Sequence, residues 1–235
     1  MSRRVVNVTL DNLDDLSPRC RTCVFWELDQ AARDRATEAG DPGLEKEAWV
    51  SALLLQWGSC GKVLYVDDVP AGHVLFAPPA WVPRAVSFPT SPVSPDAVLL
   101  MTANVLPDFT GAGLGRMLVQ AVARDLTRRG VRAIEAFGDQ QYDGRACVLP
   151  AAHLLAVGFK TVRPHHRFPR LRLELKTALS WREDVEVALE RLLGTMVGGE
   201  TLTPAGAWTS PAKVRQPTRA GSRNCPVGGS SSAGR

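Results

Sequence analysis

Three glycines at alternate positions, Gly111, Gly113 and Gly115, separate a nearly continuous apolar run, 97–105, from an amphipathic stretch, 113–129. No other feature constrains the fold as much. The apolar run is bounded by Asp96 and Pro107 and has the pattern of a strand buried on both faces. In the following stretch Leu114, Leu118, Ala121, Val122 and Leu126 recur at helical spacing. Arg116, Arg124, Arg128 and Arg129 mostly avoid that stripe, and Gly130 ends it. The chain therefore runs strand, tight glycine bend, helix. Such a bend turns its backbone N–H groups outward with no side chains in the way. The first N–H groups of the helix lack partners within the helix. Together with the helix dipole they form an anion site suited to a diphosphate. The same pattern also serves a plain turn that packs a helix close to a sheet.

Two other glycine-rich loops are excluded by spacing. A Walker A loop closes with Gly-Lys-Ser/Thr, and this bend closes Gly115-Arg116-Met117. A dinucleotide fingerprint needs G-x-G-x-x-G on a first strand, whereas this G-x-G-x-G lies mid-chain.

The remaining pattern builds an α/β (α+β) fold, a mixed sheet flanked by helices. Residues 4–10 alternate and are valine-rich, a first strand. Residues 29–38 form a short polar helix. Asp41 caps a helix over 44–57, with Pro42 at its first position and Leu44, Ala48, Ala52 and Leu55 as the expected apolar stripe. Residues 62–66 and 72–77 form a hairpin across Asp67-Asp68-Val69-Pro70. The proline-rich 78–95 is a loop. Strands follow at 131–137, 159–162 and 171–175, with helices at 150–157 and 181–193.

Charge separates two regions. Residues 1–196 carry 23 basic and 23 acidic side chains, while 197–235 carry five basic and one acidic. The first is expected to be the folded domain and the second a disordered, basic, Gly/Pro/Ser-rich tail. A neutral body lacks the basic face that nucleic acid requires. No apolar run approaches the roughly 20 residues of a membrane span. The N-terminus lacks the apolar region of a secretory signal. These features give the expectation of a cytoplasmic protein with no nucleic-acid or membrane partner. Five cysteines, odd in number and irregular in spacing, suit thiols better than a disulfide framework.

The segment Val105-x-Pro107-x-x-Thr110-Gly111-x-Gly113-x-Gly115 resembles the coenzyme-binding segment of the GNAT superfamily of N-acyltransferases. The family pattern R/Q-x-x-G-x-G/A falls on Thr110, Gly113 and Gly115, with Thr110 in place of Arg or Gln. The resemblance implies a mostly antiparallel sheet, splayed around the coenzyme-binding strand. It implies acetyl-CoA as co-substrate, gripped by Thr110, Gly111, Ala112, Gly113, Leu114, Gly115 and Arg116. The pantetheine arm would pair with Ala103, Asn104 and Val105. Acceptors in the family are amines of small molecules or peptides, and this sequence selects none of them and no oligomeric state. Downstream, Gly158-Phe159 ends the family pattern N-x-x-A-x-x-x-Y-x-x-x-G-F, which sets Leu154 at the tyrosine and Cys147 at the asparagine.

Acyl transfer to an amine needs a base, an oxyanion donor and an exit for the thiolate. Glu135, on the strand after the coenzyme helix, is the first candidate base, and its other reading is an outward-facing strand residue. Asp139 is the second candidate. Cys147 is a candidate acid toward the departing thiolate, or a small buried hydrophobe. His153, among Ala and Leu, reads as a packed or surface histidine. No second Cys/His pair completes a metal site, either with Cys20-x-x-Cys23 or beside His165-His166, so no metal is expected. Two rival classes fit parts of the pattern. One is a CoA-responsive binding or regulatory protein without turnover. The other is a metal- or redox-linked interaction module built on Cys20 and Cys23.

Overall fold

The computed structural model describes residues 2–143 and 147–175. All of them lie in the first of two units into which the chain divides, Met1–Arg182 and Glu183–Arg235. The helix expected over 181–193 and the tail over 197–235 fall outside the described residues.

The elements run β1 (Arg3–Asn7), α1 (Pro18–Arg21), α2 (Gln30–Glu38), α3 (Pro42–Trp57), β2 (Gly61–Val66), β3 (Val69–Ala77) and β4 (Ala97–Val105). They continue with α4 (Leu114–Arg128), β5 (Ala133–Asp139), β6 (Leu149–Pro150), α5 (Ala151–Ala156), β7 (Lys160–Arg163) and β8 (Arg170–Glu174). Local chemistry accounts for several boundaries. The Asp29 carboxylate accepts the Ala32 N–H at 2.7 Å and starts α2. Asp41 does the same for α3 through the Leu44 N–H at 3.0 Å, ahead of Pro42. Asp67 and Asp68 take φ of 48° and 64°, the two left-handed positions that a tight hairpin between β2 and β3 demands.

The strands form one open, mostly antiparallel sheet in the order β1-β2-β3-β4-β5-β8-β7, with β6 added beside β5. Only β4–β5 and β5–β6 are parallel. Alternation sends side chains to two cores. Val63, Leu75, Leu99, Met101 and Phe137 join Trp49, Val50 and Leu53 of α3 on one face. Leu64, Val74, Leu100, Ile134 and Ala136 join Leu114, Leu118, Val122 and Leu126 of α4, and Leu154 of α5, on the other.

The buried face of α3 differs from the expected stripe. Leu44 and Leu55 are exposed, while Lys46, Trp49, Val50 and Leu53 are buried. The reason lies upstream in the chain. The Glu27 carboxylate is also buried and pairs with the Lys46 ammonium, which donates in addition to the Cys23 carbonyl at 3.0 Å. A paired and hydrogen-bonded charge can lie inside.

Two features shape the middle of the sheet. Between β3 and β4 the register shifts, with Leu75 opposite Thr102 and Phe76 opposite Leu100, so Met101 is the extra residue of a bulge that bends β4. Beside it, a Cβ on Gly72 would stand 2.6 Å from the Asn104 carbonyl oxygen, so only glycine lets β3 close on the end of β4. On its other edge β4 pairs with β5 only from Ala97 to Leu99. Past that point β5 turns to β6 at Gly138 and Asp139, and the two central strands part.

Candidate active site

The parting of β4 from β5 leaves the backbone of Leu100–Val105 without a strand partner on the β5 side among the described residues. Ala103, Asn104 and Val105 are half-buried there. Ala103 and Val105 pack toward the α4 core, and alternation turns Asn104 to the α3 face, opposite His73. An extended ligand laid along this edge would find unpaired amide and carbonyl groups.

The edge runs directly into the glycine bend. Pro107–Phe109 makes one short turn, and Gly111, Ala112 and Gly113 are exposed. Gly111 and Gly113 take φ of 83° and 72°, left-handed values that glycine reaches without strain. Gly113 caps α4 and offers no side chain to its first turn. The first intrahelical bond is Met117 N–H to the Gly113 carbonyl, so the Leu114 and Gly115 N–H groups precede it. Thr110 turns its hydroxyl back to the Pro107 carbonyl at 2.8 Å and so stiffens the bend. The exposed Arg116 donates to the Ala156 carbonyl at 3.3 Å, which ties the start of α4 to the end of α5.

The α5 helix flanks this corner. The His153 ring is the closest neighbour of Gly115, with Cε1 3.2 Å from the place a Cβ would occupy. Much of the ring is exposed, yet its partial burial holds its pKa below the usual histidine range. Leu154, at the position of the family's tyrosine, is 1% exposed and points into the α4 core. No side chain at that position reaches the cleft.

Glu135, the first candidate base, is enclosed by the sheet. It is fully buried and stands opposite Leu99, in the last pair before the strands part. Arg172 holds one carboxylate oxygen at 3.1 Å, while Arg170 at 3.3 Å and the Ser94 N–H at 3.1 Å hold the other. Both oxygens are thus taken by the β8 cations and the loop before β4. The same Arg172 hydrogen-bonds Asp96 and keeps that carboxyl below its usual range.

Asp139, itself only 3% exposed, occupies the arm of β5 that has left β4. Its Oδ1 accepts the Gln141 N–H at 2.9 Å, and its only ion pair among the described residues is with half-exposed Arg167, at 3.8 Å. The β7–β8 loop closes over this end of β5 through Gly138 N–H to the Pro169 carbonyl and Gln140 N–H to the Arg167 carbonyl, both 2.9 Å. His165 is used within that loop, its Nδ1 accepting the Arg167 and Phe168 N–H groups.

Cys147 lies just before β6 on the α3 face. Its carbonyl accepts Trp26 Nε1–H at 3.0 Å, and its Sγ is 3.5 Å from Cys23 Sγ. Trp26 in turn stacks on Phe88 and Phe137. Sequence reasoning did not foresee this contact, because 124 positions separate the two cysteines. Among the described residues no group of three or more His, Cys, Asp or Glu side chains is placed to share a metal ion, and no helix is long and apolar enough to cross a membrane.

His73 was also missed. It is 1% exposed, its Nδ1 accepts the Ser17 N–H at 3.4 Å, and its Nε2 has no hydrogen-bond partner among the described residues. Burial, reinforced by Lys46, pushes its pKa down to about 3, so it is neutral. A histidine in an otherwise apolar strand was the one available signal.

Residues 23–159 match the model of the acetyltransferase (GNAT) family. Among solved structures, the chain is similar to a PaiA N-acetyltransferase from Thermoplasma acidophilum in complex with coenzyme A (10% identity, 74% of this chain and 99% of that one, TM-score 0.49). It is also similar to YncA from Salmonella typhimurium with acetyl-CoA (17%, 74% and 95%, 0.47). A third is the ribosomal-protein-S18-alanine N-acetyltransferase from Escherichia coli (16%, 73% and 91%, 0.40). No curated protein matches the chain.

Proposed function

Since the chain belongs to the GNAT acetyltransferase family, we propose that it transfers an acetyl group from acetyl-CoA to an amine, with Asp139 as the base. The diphosphate rests on the backbone of Thr110–Arg116, with the Leu114 and Gly115 N–H groups and the helix dipole facing it. The pantetheine arm lies along Ala103–Val105, and a backbone N–H of that edge donates to the acetyl oxygen. The observation that carries this reading is the continuity of two features. The β4 edge left open past Leu99 leads, through the one short turn at Pro107–Phe109, into an exposed, left-handed glycine bend.

The amine approaches between the arms of β4 and β5. Its nitrogen attacks the thioester carbon, the oxyanion is held by the β4 N–H, and the C–S bond breaks as the oxyanion collapses. The amine proton passes to Asp139, directly or through one water. Arg167 is 49% exposed and only loosely paired with Asp139, whose own side chain is 2% exposed, so the carboxylate is reached by displacing Arg167. With Leu154 buried, no tyrosine protonates the thiolate, and it leaves as the anion or takes a proton from solvent.

Calorimetry with acetyl-CoA, followed by thiol release across a panel of amines, tests the proposal. Asp139→Asn should lower kcat by about 10²–10³-fold and leave acetyl-CoA affinity within about twofold. The buried Leu154 also favours a second reading, a protein that binds acetyl-CoA without turning it over. Binding with no thiol release from any amine selects that reading. No binding at all removes both.

A further inference from the structure

The Cys23 and Cys147 thiols meet at 3.5 Å although they come from opposite ends of the domain, and both are half-buried, within reach of a small solute. We infer that Cys23 and Cys147 form a reversible oxidative modification site, closing to an intramolecular disulfide under a peroxide. The inference does not depend on acetyl transfer.

Three observations carry it. First, a disulfide has its sulfurs about 2.05 Å apart, so closure requires an approach of about 1.5 Å, within the reach of small side-chain rotations. Second, the backbone on both sides is already fixed. The Cys23 carbonyl accepts from buried Lys46, and the Cys147 carbonyl accepts from Trp26, itself packed against Phe88 and Phe137. A carbonyl hydrogen bond on each residue therefore helps keep the two thiols side by side. Third, the other described cysteines are less suited. Cys60 is fully buried and its thiol is pushed up to about 12. Cys20 is raised by burial, with the Ser17 hydroxyl opposing that shift. A raised thiol pKa leaves little of the nucleophilic thiolate.

The chemistry balances with one peroxide. A thiolate of the pair attacks a peroxide oxygen, the O–O bond breaks, and that cysteine becomes a sulfenic acid as one water departs. The second thiolate then attacks its sulfur. The S–S bond forms, the S–O bond breaks and a second water leaves. Two thiols are oxidised by two electrons, and the peroxide is reduced by two. The new bond ties the loop after α1 to the segment that enters β6, beside the strand end that bears Asp139.

The test uses the full chain treated with hydrogen peroxide, digested without reductant and mapped by mass spectrometry. The expected product is a Cys23–Cys147 linked peptide, lighter by two hydrogens than its parts and restored by dithiothreitol. The link disappears in Cys23→Ser and in Cys147→Ser, and persists in Cys20→Ser and Cys225→Ser. Because the bridge spans 124 positions, the oxidised protein should melt about 5–10 °C higher than the reduced one. That difference should vanish in Cys23→Ser. Sulfinic or sulfonic products without a link, a link that includes Cys20, or a link only between molecules overturns the inference.

Discussion

If the glycine bend grips the coenzyme, two chemically identical substitutions at the two ends of α4 should have different consequences. Gly113 and Gly130 flank the helix with φ of 72° and 75°, and a Cβ on either meets nothing within 4 Å. Alanine at either position therefore clashes with nothing and pays only for the left-handed backbone, about 1–2 kcal/mol. The stiffer unfolded chain returns about 0.4–1 kcal/mol of this. The net loss is about 1 kcal/mol at each site, or a fall in Tm of about 2–4 °C. Coenzyme affinity should separate them. Gly113→Ala relieves its strain by rotating the peptide ahead of Leu114, and the N–H groups of Leu114 and Gly115 then miss the diphosphate. Each charge-assisted hydrogen bond is worth about 1.5–3 kcal/mol, so the Kd for acetyl-CoA should rise about ten- to a hundredfold. Gly130→Ala changes the far end of the helix and should leave Kd within about twofold. Calorimetry with acetyl-CoA on the two variants, matched by thermal melts, makes the comparison. Equal affinities alongside equal losses of Tm would show that the bend is only a turn, and the diphosphate assignment would fail.

Glu135→Gln should cost about 3 kcal/mol in chemical denaturation, because it leaves Arg170 and Arg172 facing a neutral group in the sheet. Its kcat/KM against pH should keep the shape of the parent, and a loss of activity comparable to that of Asp139→Asn would return the base to Glu135. His73 sets an acid limit on stability. The unfolded chain takes up a proton near pH 6.5, while the native imidazole refuses it down to about 3. Stability from this group is therefore complete above about 6.5 and drains at about 1.4 kcal/mol per pH unit below it. Between pH 6.5 and 5 the parent should lose about 2 kcal/mol more than His73→Gln, and parallel curves in urea titrations would refute the buried neutral assignment.

What the sequence exposes well is whatever is encoded by neighbours in the chain. The bounds of β4, the apolar stripe of α4, the Asp41–Pro42 start of α3 and the Asp67–Asp68 turn each depend on residues within one turn or one hairpin. The stripe of α3 was misread for the opposite reason. Lys46 looks like a solvent-facing residue until Glu27, 19 positions earlier, supplies its countercharge. Beside it Leu44 and Leu55 stay outside, since no sheet lies beneath them. The two-residue β6 escaped notice because so short a strand has no periodicity. It exists through its register on Gly138 and Asp139.

The same division runs through the proposed active site and explains why one half of the proposed reaction is easier to read than the other. A diphosphate is held by backbone, and the backbone geometry of Gly111–Gly115 is encoded by Gly111–Gly115 itself. The acceptor side is held by side chains brought together across the sheet. Asp139 comes from the end of β5 and Arg167 from the β7–β8 loop. Alternation along β5 presents Glu135 and Asp139 on one face and as equivalent carboxylates. They are distinguished by Arg170 and Arg172, which arrive on β8 more than 30 positions later and claim Glu135 for the floor of the sheet. Only Asp139 lies past the point where β4 and β5 part. In the proposed reaction the opening of the sheet, rather than the identity of the carboxylate, therefore selects which of the two meets the amine.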